Sequence, residues 1–158
     1  MARLAALPRP ERPGVRWTRP EQWHVTLRFF GELSVDEVVT ARRSMAAGVA
    51  GARPVAAVVG PEVRRLGRRV LQVPVGGLEP LAAALAASTA GVGASADRPF
   101  VGHLTLARGR DDHSLDGLGG AGVHGQWEVR DVALVASVAS PRRGVPNRYE
   151  VVATFALD

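Results

Sequence analysis

Two tetrapeptides hold the residues best suited to chemistry: His24-Val25-Thr26-Leu27 and, half a chain later, His103-Leu104-Thr105-Leu106. The chain has four histidines, and two of them sit in the same setting, so the pair is treated as one duplicated signal. Each copy lies in an apolar, β-prone run, Trp23 to Phe30 and Phe100 to Ala107. On a strand, residues i and i+2 share a face. That predicts His24 and Thr26 on one face, with Val25, Leu27 and Phe29 on the other, and it sets His103 and Thr105 against Leu104 and Leu106. Histidine titrates near physiological pH and serves as acid or base, while threonine offers a neutral hydroxyl that donates to an anionic oxygen. Two such faces brought together would hold an anion between two imidazoles and two hydroxyls.

That arrangement suits in-line phosphoryl transfer. The attacking and leaving oxygens lie on opposite sides of phosphorus, so one group takes a proton while another gives one up. Charge on the non-bridging oxygens needs prearranged donors, the role predicted for Thr26 and Thr105. An arginine fork suits phosphate, and the candidates are Arg28 and Arg108. Arg28 is in register with its own histidine. Arg108 falls on the leucine face by strict alternation and reaches the phosphate only if the strand ends or bulges near Ala107.

The segments His24-Val-Thr-Leu-Arg-Phe-Phe-Gly31 and Arg98-Pro-Phe-Val-Gly-His103-Leu-Thr-Leu-Ala-Arg108 resemble the two HxTx motifs of the 2H phosphoesterase superfamily. The nearest likeness is to the bacterial and archaeal RNA 2′,3′-cyclic phosphodiesterases, long described as 2′-5′ RNA ligases. The resemblance covers residues 15 to 157, including Val15-Arg-Trp17 and Tyr149-Glu-Val151. It implies an α+β, bilobal fold with two antiparallel sheets related by a pseudo-twofold and flanked by helices, each sheet carrying one motif strand across a central cleft. It also implies His24 as proton donor to the leaving ribose oxygen, His103 as proton acceptor activating water, and a product with a 2′-phosphate. Members of the family usually open with a strand of the type Arg-Leu-Phe-x-Ala and a helix. Here the chain has only Met1-Ala-Arg-Leu-Ala-Ala-Leu7 and then prolines. A single domain over residues 1–158, with that strand and helix absent or shortened, is therefore the expectation.

Composition sets the frame. The 158 residues are 46% hydrophobic, enough for a proper core in one domain with two lobes allowed. No apolar run approaches the ~20 residues of a membrane span, and residues 1–13 lack the core of a signal peptide, so a cytoplasmic protein is expected. Without cysteine there is neither a disulfide nor a thiolate metal site. The net charge is +5 and all 20 basic residues are arginine. Arginine-only usage reflects nucleotide bias as readily as selection, but a basic surface still favours an anionic partner. The expected partner is RNA with a 2′,3′-cyclic phosphate end or a cyclic nucleotide, bound by a monomer that needs no cofactor and no metal.

In chain order, residues 1–14 read as an extended or frayed arm and Val15 to Thr18 as a short strand. Ser34-Val-Asp-Glu37 has the form of a capping box ahead of an amphipathic helix over 35–48. Val55 to Val59 and Val70 to Val75 read as a hairpin. Its connection carries Arg64, Arg65, Arg68 and Arg69 and reads as a solvated loop, with RNA contact as the lesser reading. Leu78, Leu81, Leu85 and Thr89 mark a second helix with Pro80 in its first turn. This is α+β patterning, not the alternation of a doubly wound sheet. Trp127 to Val138 and Asn147 to Phe155 should form a closing hairpin beside a motif strand, joined through Ser140 to Pro146 with Arg142 and Arg143.

Asp111, Asp112, His113 and Asp116 lie in a Gly-rich stretch and, with His124, read as a flexible solvated loop rather than a metal site. Among the aromatics near the motifs, Trp17, Trp23, Phe30, Phe100 and Tyr149, the base-stacking candidate is Phe30, which shares parity with His24 and Thr26. Two other functions stay open: an RNA-end binding module without turnover, and a metal-dependent phosphohydrolase. Weak reverse ligation through the same transition state is chemically allowed.

Overall fold

The computed structural model describes residues 2–94, 99–138 and 147–158. The fold is α+β, as the patterning predicted, with the two antiparallel sheets that the resemblance implied. The chain divides into two compact units, one built from Met1–Leu27, Ala56–Pro80 and Pro99–Glu128, the other from Arg28–Val55, Leu81–Arg98 and Val129–Asp158.

The first unit holds most of a six-stranded sheet made of β1 (Val15–Trp17), β2 (Val55–Val59), β3 (Arg64–Leu66), β4 (Val70–Gly76), β5 (His103–Gly109) and β6 (Gly125–Val129). Its order is β1-β5-β4-β2-β6, with β3 paired to β4. One face of β4 and β5 is core: Leu71, Val73, Leu104 and Ala107 are all at or below 1% exposure. The predicted hairpin of β2 and β4 is present, with Val58 opposite Gly76 and Val59 opposite Val75. Its connection is not a loop, because β3 pairs with β4 inside it.

The start of the chain is also more ordered than a frayed arm. A short helix, α1 (Ala2–Ala5), buries Leu4, and the prolines that follow are tied down by aromatic and charged anchors. The Trp17 indole donates to the Pro10 carbonyl at 3.1 Å, the Arg9 guanidinium lies 5.1 Å from the Trp23 ring centroid, and Arg12 donates to the Asp116 carbonyl. Composition alone hid this, because the partners are far along the chain or on the next strand.

In the second unit, α2 (Val35–Val49) starts at the capping box read from sequence. The Glu37 amide donates to the Ser34 hydroxyl, and the Ser34 amide donates to the Glu37 carboxylate at 2.8 Å. Ala41, Met45 and Val49 form its buried stripe. Gly48 lets α2 approach α3 (Glu79–Ser88): a Cβ at this position would stand 2.2 Å from the Ser88 hydroxyl. The run predicted from Trp127 to Val138 divides at Arg130 into β6 and β7 (Asp131–Val138). With β8 (Arg148–Ala156), β7 makes a separate two-stranded sheet and is not paired in the ladder that holds the second motif. Ser140 to Pro146, including Arg142 and Arg143, and Arg98 lie outside the described residues. No helix among the described residues is long and apolar enough to cross a membrane.

Candidate active site

The second motif is the better anchored. Its strand, β5, lies between β1 and β4, so ladder bonds hold it on both edges while Leu104 and Leu106 bury the opposite face. In the β4 register, Pro74 faces His103, Gln72 faces Thr105 and Val70 faces Arg108. Directly opposed residues share a face, and Val70, Gln72 and Pro74 are spaced by two along β4. His103, Thr105 and Arg108 therefore lie on one face. This works only because the pairing shifts between Leu71 and Gln72, skipping Leu106, which makes Leu106 and Ala107 consecutive buried residues. The bulge on which Arg108 depended is thus present.

The first motif is held differently. Residues 23–30 form no assigned strand, and a short 3-10 turn at Pro20–Gln22 delivers the chain into them. Alternation persists over the motif itself, with His24 and Thr26 exposed and Val25 and Leu27 half-buried. It fails at Leu27, where the chain bends: Phe29, expected on the core face, is 72% exposed, and Arg28 and Phe30 are half-buried. Arg28 and Phe30 thus lose the parity with His24 that suggested them. The Arg28 guanidinium instead donates to the carbonyls of Ala94 at 2.7 Å and Val92 at 3.3 Å, and it lies 5.3 Å from the Phe30 ring centroid. Both residues belong to the second compact unit, whereas His24, Thr26, His103, Thr105 and Arg108 all belong to the first. Of the two motifs, expected one on each sheet, only the second lies on an assigned strand.

Sequence did not show one feature that both histidines share. His24 Nδ1 bonds the Gln22 carbonyl at 2.7 Å, and His103 Nδ1 bonds the Val101 carbonyl at 2.8 Å. In each motif the partner is the carbonyl two residues earlier. A carbonyl only accepts, so each Nδ1 is the donor in this bond. The same bond fixes the orientation of the ring. Neither imidazole is sealed inside the core.

The motif-two face also carries residues that motif reading passed over. Gln72 is 2% exposed, and its Oε1 has no hydrogen-bond partner among the described residues. A buried unpaired acceptor costs about 1–3 kcal/mol. Its sequence signal was a lone amide in the apolar run Val70-Leu-Gln-Val-Pro-Val75. Arg64 lies opposite Gln72 on β3, and Arg16 lies opposite Arg108 on β1.

The acidic stretch after β5 is not a flexible loop. Asp112 takes ion pairs from Arg68 at 2.9 Å and Arg69 at 3.0 Å, and Asp116 takes one from Arg65 at 2.6 Å. The Arg68 and Arg69 hydrogen bonds hold the Asp112 carboxyl below its ordinary range. His113 first, then Arg65, does the same for Asp116, and the Ser114 hydroxyl leads at Asp111. The hairpin arginines and this acidic stretch neutralise each other. Among the described residues no cluster of His, Asp or Glu has the makings of a metal site. His124 is exposed.

Residues 2–59 match the family model described as LigT like Phosphoesterase. The fold is similar to the crystal structure of TT0787 of Thermus thermophilus, with 23% identity, a TM-score of 0.73, and coverage of 92% of this chain and 83% of that one. It is similar also to Escherichia coli LigT complexed with 3′-AMP, at 23% identity and a TM-score of 0.73, covering 91% of this chain and 82% of that one. A crystal structure described as a phosphoesterase reaches 28% identity and a TM-score of 0.72 over 91% of this chain and 82% of that one. No curated protein sequence gives a significant match. Matched segment and fold thus liken the chain to the LigT-like phosphoesterases, the class that the two motifs resemble.

Proposed function

We propose that the chain hydrolyses 2′,3′-cyclic phosphate ends of RNA or nucleotides to 2′-phosphates, with the two motif histidines as a metal-independent acid and base pair. The observation that carries this reading is the repeated Nδ1-to-carbonyl bond, which orients the rings of His24 and His103 in the same way within one compact unit. Water attacks phosphorus as His103 Nε2 takes its proton. The bond from phosphorus to the ribose 3′ oxygen breaks as protonated His24 Nε2 delivers a proton to that oxygen. A new phosphorus–oxygen bond forms to the water oxygen, and the 2′ linkage stays intact. The histidines end with exchanged protonation states and return through solvent. Thr26, Thr105 and Arg108 stabilise the non-bridging oxygens. The order of acid and base follows the superfamily resemblance, and the nucleotide ligand is supported by the 3′-AMP complex of the similar E. coli LigT. A cytoplasmic site of action and a monomeric state belong to the same reading. With a 5′-hydroxyl in place of water as the nucleophile, the same steps would join two ends through a 2′-5′ linkage.

The test offers 2′,3′-cyclic AMP, and a short RNA with the same end, to the purified protein with and without chelator, and separates the products by chromatography. The expected product is the 2′-phosphate in both conditions. Turnover that vanishes in chelator and returns with a divalent ion overturns the metal-free step. Tight binding with no product favours an RNA-end binding module instead.

A further inference from the structure

Arg16 and Arg108 stand directly opposite each other on β1 and β5, both exposed, and the bulge has turned Arg108 onto the face of His103 and Thr105. Like charges directly opposed across an antiparallel pair destabilise it. The hairpin arginines a few residues away show how this chain neutralises such a cluster, with Asp112 and Asp116 set against Arg65, Arg68 and Arg69. Nothing comparable is set against Arg16 or Arg108, whose side chains have no ion pair or hydrogen bond among the described residues. An uncompensated cross-strand pair of guanidinium groups beside a phosphate-handling face calls for a second anion.

We propose that Arg16 is the recognition residue for a second phosphate, so that the substrate is an RNA strand end rather than a lone cyclic nucleotide. This deepens the cyclic-phosphate reading above and rests on it. Arg108 lies two strand positions from Thr105 once the bulge is counted, about 7 Å along β5. Arg16 lies one strand further out, at the sheet edge, about 5 Å from Arg108 between backbones. A terminal 2′,3′-cyclic phosphate closes the 3′ end, so the one neighbouring phosphate in the strand is the diester on the 5′ side of the last nucleotide. With the cyclic phosphate at Thr105 and Arg108, that diester lies over β1, where it relieves the repulsion between the two arginines. A mononucleotide has nothing to place there.

The experiment compares 2′,3′-cyclic AMP with the dinucleotide ApA ending in a 2′,3′-cyclic phosphate, the same dinucleotide with a neutral methylphosphonate linkage, and two variants of equal charge change, Arg16→Gln and Arg64→Gln. Arg16→Gln should lower kcat/KM for the phosphodiester dinucleotide about tenfold, the worth of one charge-assisted contact, and leave 2′,3′-cyclic AMP unchanged. The methylphosphonate should cost wild type the same factor and cost Arg16→Gln nothing more. Arg64→Gln should not distinguish the three substrates. The proposal is overturned by an equal loss on mononucleotide and dinucleotide, by no loss on the dinucleotide, or by a loss that Arg64→Gln reproduces through net charge alone. If wild type turns over neither substrate, the cyclic-phosphate reading fails by itself. The subsite is then decided by fluorescence anisotropy of a labelled short RNA bearing a 2′-phosphate, where Arg16→Gln should weaken binding and lower the salt slope by about 0.7. Unchanged binding and slope would reject it.

Discussion

The two histidine motifs share a four-residue pattern and one hydrogen bond, yet different forces hold them. The second is the inner strand of a ladder, with Leu104 at 1% and Leu106 at 3% exposure behind it. The first is an extended segment outside any assigned strand, set by the turn at Pro20–Gln22, with Val25 and Leu27 only half-buried. Its neighbour Trp23 is covered by Arg9 from the chain start. The two proposed catalytic histidines thus share a ring hydrogen bond without sharing an architecture. The Nδ1-to-carbonyl bond is made within three residues, so it survives the loss of the ladder.

The largest expected effect tests whether the two ends are functionally equal despite this difference. His24→Ala and His103→Ala should each lower kcat on 2′,3′-cyclic AMP by a factor on the order of 10²–10⁴, with unchanged circular dichroism. The wild-type rate against pH should be a bell with one limb for each histidine, and each single variant should lose one limb. A variant that keeps both limbs would remove its histidine from the acid–base pair.

The next test separates the two supports. Leu104→Ala should destabilise the protein by about 2–5 kcal/mol in urea unfolding, because the residue is fully enclosed. Leu27→Ala should cost about 1 kcal/mol, as half-buried side chains do. Equal costs would mean that the first motif is packed as firmly as the second.

The smallest effect concerns the carboxylates after β5. Asp112 and Asp116 are held below the ordinary carboxylate range, so they bind protons less readily folded than unfolded. Their stabilising contribution is present above the unfolded value and fades as pH falls through the lowered folded value. Protection of the β3 amides, corrected for the intrinsic pH dependence of exchange, should therefore fall selectively in acid. Asp112→Asn should abolish much of that pH dependence while leaving exchange around His103 unaltered. An acid response spread evenly over β3 and β5 would argue against a local tie.

What could be read directly was local chemistry. Ser34 and Glu37 announce their capping box because both partners lie within one turn, and the apolar alternation around His103 follows from a period of two. The paired His-x-Thr-Leu pattern named the candidate side chains by type and spacing alone. The break at Leu27, which sends Arg28 to the Val92 and Ala94 carbonyls, was illegible because those acceptors lie more than sixty positions away. The hairpin arginines looked solvated because Asp112 and Asp116 meet them only after β3, β4 and β5 have paired. Sequence by itself determined which groups are available to move protons and hold phosphate. Tertiary structure decided which way they point: the skipped residue Leu106, set by pairing with β4, puts Arg108 beside Thr105 and opposite Arg16. A one-residue slip in register reverses the face of every side chain beyond it, and such a slip is fixed by long-range pairing, not by neighbours in the chain.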